Sequence, residues 1–168
     1  MAIIYRGMLA IYLVVLTWLI VLKTSFSIST LLAHNHQRKL NLVPFGAPSM
    51  VNGQINYNEM IFNCLLFIPF GLLLSVNFKR LNFFSKLSIV LIFSAGVEIT
   101  QYVFAIGVTD ITDVITNTLG GLIGLSFYGL ASRYIKSDKL DRIVISVGLL
   151  LLLLFISLSG HYVRTKWR

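Results

Sequence analysis

Six polar side chains interrupt otherwise apolar stretches of this chain: Asn63, Glu98, Gln101, Asp110, Asp113 and Asn117. Glu98 and Gln101 are three residues apart and Ser94 lies four residues back, so on a helix all three share one face. Asp110, Asp113, Asn117, Gly120 and Gly124 repeat at spacings of three and four and form one helical stripe. Carboxylates set among amides can perform acid–base chemistry, bind a cation or hydrogen-bond a polar ligand. A Glu is a poor choice for plain packing where a Gln would bond as well. One of the two aspartates is accounted for by N-capping, but two acids plus Asn117 exceed what a cap requires. Gly120 and Gly124 read as a packing face that lets another helix approach closely.

The elements that must position these groups follow from composition. The chain has 168 residues, 57% hydrophobic and 12% charged, and its mean hydropathy is +0.84. Soluble domains carry about 25% charged residues, and disorder needs low hydrophobicity, so both classes are excluded. One crossing of the bilayer takes roughly 20 apolar residues, which leaves room for about five. The predicted fold is all-α, a polytopic membrane bundle forming a single domain over 1–168. Its helices are expected at about 5–28, 59–78, 86–104, 112–132 and 142–162, with a long connection over 29–58. The first apolar block is too long for a signal-peptide core. Pro69 should kink the second helix. Glu98 falls roughly 17 Å along the third, just past the bilayer centre.

Charge supplies an orientation. Lys and Arg number 14 against 6 acids, a net charge of +8, but they are scattered through short connections. Such charges set topology and hold lipid headgroups, and no nucleic-acid module is present. Lys79, Arg80 and Lys86 mark one connection, and Arg133, Lys136, Lys139 and Arg142 another, whereas Val103 to Asp110 has no basic residue. The positive-inside rule then makes the first two connections and the N-terminus cytoplasmic, in the cell membrane. Arg164, Lys166 and Arg168 run against that rule if the fifth helix crosses. The six polar residues come to lie in the outer half of the membrane. Their acids need protonation, a bound cation, or Arg38 and Lys39 reaching over from the external connection. His34 and His36 are spaced i, i+2, which is no helical ligand pair, and the lone Cys64 makes neither a disulfide nor a Cys-type zinc site. No metal or cofactor is expected, and no catalytic triad, phosphate loop or HExxH helix is present.

Four segments carry a resemblance. NLVPF at 41–45, FNCLLFIPFGLLL at 62–74, VEITQ at 97–101 and DITDVITNTLGGLIG at 110–124 resemble the VanZ family in order and spacing. The combination is specific, although PFG or Glu-x-x-Gln alone would be weak. Some members carry an Arg before the first Asp of the stripe where this chain has Thr109, so a basic partner must come from elsewhere. The resemblance implies low-level resistance to teicoplanin more than to vancomycin, and it does not imply an enzyme.

Three mechanisms are open at this point. The first is an outer-leaflet protein that limits access of teicoplanin to its target, with partners among membrane lipid, the antibiotic itself or a lipid-linked peptidoglycan precursor. The second is an intramembrane enzyme in which Glu98, Asp110 and Asp113 act on a lipid-linked envelope substrate. A proton- or cation-coupled transporter is the third, disfavoured by five spans without an inverted repeat.

Overall fold

In hydrocarbon no water satisfies the backbone, so apolar blocks of about 20 residues close their own hydrogen bonds as helices. A computed structural model describes residues 2–21, 39–46, 50, 51, 54, 55, 57–105 and 108–166. Its helices are α1 (Ala2–Val21), α2 (Tyr57–Asn77), α3 (Phe83–Phe104), α4 (Ile111–Ala131) and α5 (Ser137–Lys166). Short strands are β1 (Lys39–Asn41), β2 (Met50–Val51), β3 (Gln54–Ile55) and β4 (Val108–Asp110). The four helices α1 to α4 are long and apolar enough to cross a membrane. The chain is an all-α membrane bundle with small strand additions.

Two helix starts differ from the sequence reading. α3 begins at Phe83 rather than near 86, because the side chain of Asn82 accepts the Ser85 N–H at 2.7 Å and caps the first turn. α5 begins at Ser137 rather than near 142, since the polar run SDKLDR is already helical before the apolar block starts. The expected extension of the first helix past Val21, and most of the 29–58 connection, lie outside the described residues.

The core is built on α2. Phe67, Phe70, Leu73 and Leu74 of α2 pack against Leu16 and Ile20 of α1, Val90 and Val97 of α3, and Leu125 of α4. Phe70 and Phe93 hold their ring centroids 5.1 Å apart at a tilt of 59°. The outer faces carry Ile3, Val14, Ile92 and Leu150 at more than half exposure. Apolar faces this extensive belong against lipid. α4 lies directly on α2: a Cβ added at Gly120 would sit 2.0 Å from the Cys64 carbonyl oxygen, and one at Gly124 would sit 2.2 Å from that of Ile68. Only glycine permits this approach. Pro69 leaves α2 without one N–H. The Tyr12 hydroxyl of α1 donates to the neighbouring carbonyl of Leu66 and ties the two helices together there.

The two ends of the bundle are chemically distinct. At one end the turn after α2 meets the start of α5, where Lys79 forms an ion pair with the buried Asp141. Asp141 also accepts the Tyr128 hydroxyl at 2.6 Å, and Lys79 donates to the Ser137 hydroxyl. This brings the two basic connections together. At the other end α3 stops at Ala105, whose left-handed backbone (φ 52°) turns the chain toward β4. β4 pairs in parallel with β1, setting Lys39 opposite Val108, Leu40 opposite Thr109 and Asn41 opposite Asp110. α2 and α3 make up the long crossover that a parallel pair requires. β2 and β3 pair antiparallel, Met50 with Ile55 and Val51 with Gln54.

Candidate functional site

The start of α4 organises the polar end. Asp110 is its N-cap: the Thr112 N–H donates to Oδ1 of Asp110 at 2.8 Å. The same oxygen accepts the Asn41 amide at 3.0 Å, so the cap also fastens β1. Oε2 of Glu98 accepts the Asp110 N–H at 3.0 Å, and the Thr109 hydroxyl donates to the Glu98 carbonyl at 3.1 Å. Glu98 therefore stitches α3 to the strand that leads into α4. Thr112 in turn accepts the Phe45 N–H at 2.9 Å, which seats the turn after β1 on the helix terminus.

Asp113 lies in the first turn of α4, three residues beyond the cap. Its Oδ1 accepts the Asn63 amide of α2 at 2.7 Å, a charge-assisted bond across the glycine-lined contact between α2 and α4 when Asp113 is ionised. Asn117, a further turn in, donates to the Ser94 hydroxyl of α3 at 3.0 Å. Gln101 turns the other way and donates to the Ile20 carbonyl of α1 at 3.2 Å. The predicted residues thus share one end of the bundle. Asn63, Glu98, Asp110, Asp113 and Asn117 meet at the junction of α2, α3 and α4, while Gln101 reaches toward α1.

All six are buried, from fully enclosed Asn117 to Asp110 and Asp113 at 6% exposure. Among the described residues the amide oxygens of Asn63, Gln101 and Asn117 have no hydrogen-bond partner, although their amino groups are engaged. Leaving such a buried acceptor unmet costs about 1–3 kcal/mol. This end of the bundle is rich in acceptors that could receive donors.

Lys39 stands in β1 opposite Val108; Arg38, His34 and His36 lie outside the described residues. Among the described residues no group of three or more His, Cys, Asp or Glu is placed to hold a metal ion. Sequence reasoning singled out neither Asn41 nor Thr112 as site residues. Asn41 sits inside the quoted NLVPF segment, but nothing local announces a partner 69 residues away.

A bundle of apolar helices with a buried polar junction at one end defines a small integral membrane protein. The VanZ/LLP1 family profile matches residues 9–132. Protein VanZ of Enterococcus faecium is 51% identical over 156 residues, covering 93% of this chain and 92% of that protein. No solved structure matches. The chain belongs to the VanZ family. The matched region holds the whole junction of α2, α3 and α4.

Proposed function

We propose that this protein confers low-level resistance to teicoplanin from the outer face of the membrane, binding or displacing a lipid-linked molecule so that the antibiotic reaches its target less readily. The observation that carries the reading is the set of buried acceptors: among the described residues Asn63 and Asn117 at the junction with Asp113, and Gln101 on the side toward α1, each present an amide oxygen without a donor. A junction evolved only for packing would satisfy both ends of each amide. The family membership supplies the link to resistance, and the expected topology supplies the outer face.

Shape-preserving exchanges test it. In Asp113→Asn the retained oxygen still accepts the Asn63 amide, and in Glu98→Gln it still accepts the Asp110 N–H. The fold therefore survives both, while the ionisable group is lost. Teicoplanin resistance should fall in both variants at unchanged membrane abundance. Asp110→Asn should be intermediate, because Asn caps a helix nearly as well as Asp. Full resistance in Glu98→Gln and Asp113→Asn would reduce the junction to packing. Conversion of a labelled lipid-linked precursor by the purified protein would replace binding with catalysis.

A further inference from the structure

At the end of the bundle opposite the polar junction, the turn between α2 and α3 and the turn between α4 and α5 are five residues each, 78–82 and 132–136. Lys79 makes one surface of them. Its ammonium donates to the Ser137 hydroxyl at 2.6 Å and pairs with the buried Asp141, so the first turn is tied to the start of α5. That pairing uses up Lys79 and Asp141 and leaves the other bases over. Arg80, Arg133, Lys136, Lys139 and Arg142 are exposed and Lys86 is half-buried, and among the described residues none of the six forms an ion pair. Asp138 is the one exposed acid in the two turns and the first turn of α5. The surface is strongly cationic and supplies almost no counter-charge of its own.

We propose that this surface binds the headgroup of an anionic phospholipid in the adjoining leaflet. Depth and neighbours select that partner. α2, α3 and α4 are long and apolar enough to cross the bilayer, and turns of five residues hold the bases where those helices leave the hydrocarbon, level with lipid phosphate. Phe84 and Tyr134, 76% and 89% exposed, stand among the bases, and aromatic rings beside Lys and Arg are the chemistry of the headgroup layer. An anionic headgroup attracts such bases over about a Debye length, about 8 Å at physiological salt, so charges on both turns act together. A nucleic acid or an acidic protein has to displace the lipid phosphate already beside them. The zwitterionic phosphatidylcholine carries its own cation next to its phosphate and gains far less. The surface lies apart from the polar junction, and the argument holds for either orientation of the chain.

The test places the full chain in nanodiscs of equal parts phosphatidylglycerol and phosphatidylcholine, releases it in mild detergent, and counts the retained lipids by native mass spectrometry. Phosphatidylglycerol should be retained several-fold over phosphatidylcholine. Lys136→Gln combined with Lys139→Gln removes two exposed charges and should lower that preference at least twofold. Arg80→Gln, on the other turn, should lower it as well, and carries the test if the double variant fails to fold. Arg164→Gln combined with Lys166→Gln changes the net charge by the same amount at the far end of α5 and should leave the preference unchanged. Equal retention of the two lipids would overturn the proposal. So would equal losses in the two double variants, which would make the preference a matter of overall charge. Binding of an RNA oligonucleotide by the protein in nanodiscs that retain no excess phosphatidylglycerol would assign the surface to nucleic acid instead.

Discussion

Gly120→Ala asks how much of the polar junction depends on the close approach of α2 and α4. The added Cβ would lie 2.0 Å from the Cys64 carbonyl oxygen and 2.8 Å from its carbon, against 3.4 Å for the near limit of ordinary contact. The obstacle is backbone, which cannot swing aside, so the helices must part by about 1.4 Å near Cys64. Asn63, one residue before Cys64, donates to Asp113 across the same contact at 2.7 Å. A shift of that size carries the pair to about 4 Å, beyond hydrogen-bonding range. Overpacking costs about 1–3 kcal/mol, and loss of a bond to a charged group about 1.5–3 kcal/mol, for a total of about 2.5–6 kcal/mol. Gly129→Ala on the same helix is the control, because nothing lies within 4 Å of its added carbon. It should gain up to about 1 kcal/mol from helix propensity. Unfolding in mixed micelles, followed by circular dichroism, should therefore move the two midpoints in opposite directions. Equal stability of the two variants would refute the argument, and α4 would then have room to slide on α2.

Two further outcomes concern the opposite end and the topology. Burial pulls the Lys79 ammonium down, but its bond to Asp141 and the nearby negative charges outweigh that and leave its pKa raised. A group with a raised folded pKa stabilises the fold below its unfolded value, about 10.4, and loses that contribution as pH rises through the folded one. Melting temperature should thus decline above about pH 10.4, and less steeply in Lys79→Met; parallel declines would remove the ion pair from the account. Single cysteines should be labelled from outside the cell in the Val103–Thr109 connection and from the cytoplasm between Lys79 and Lys86. The reverse pattern would place the polar junction on the cytoplasmic side and defeat an outer-leaflet function.

What the sequence makes legible here is whatever depends on neighbours three and four residues apart. The stripe of Asp110, Asp113 and Asn117 is buried along one face of α4, as its spacing requires, because helical geometry is local. The four apolar blocks fold as helices because length and hydropathy are also local properties. The β1–β4 pairing is different. A three-residue strand is too short to show alternation, and its register depends on Asn41 meeting Asp110 through space. Asp141 misleads for the same reason. Within SDKLDR it reads as one more solvated charge, yet it is buried against Tyr128 and Lys79 once α5 packs on the bundle.

The bond between Asn41 and Asp110 also fixes when the protein can become complete during its synthesis. The two partners are 69 residues apart, and at about 5–20 residues per second roughly 3–14 s separate their emergence from the ribosome. During that interval α2 and α3 are translated, Asn41 lacks Asp110, and Glu98, once made, waits for the backbone amide it will receive. A nascent chain paused in this window exposes a half-built junction to the insertion and quality-control machinery. The start of α4, the last helix to begin within the matched region, should therefore be a checkpoint in biogenesis. Substitutions that weaken it should first appear as chains degraded young, before any mature molecule is lost.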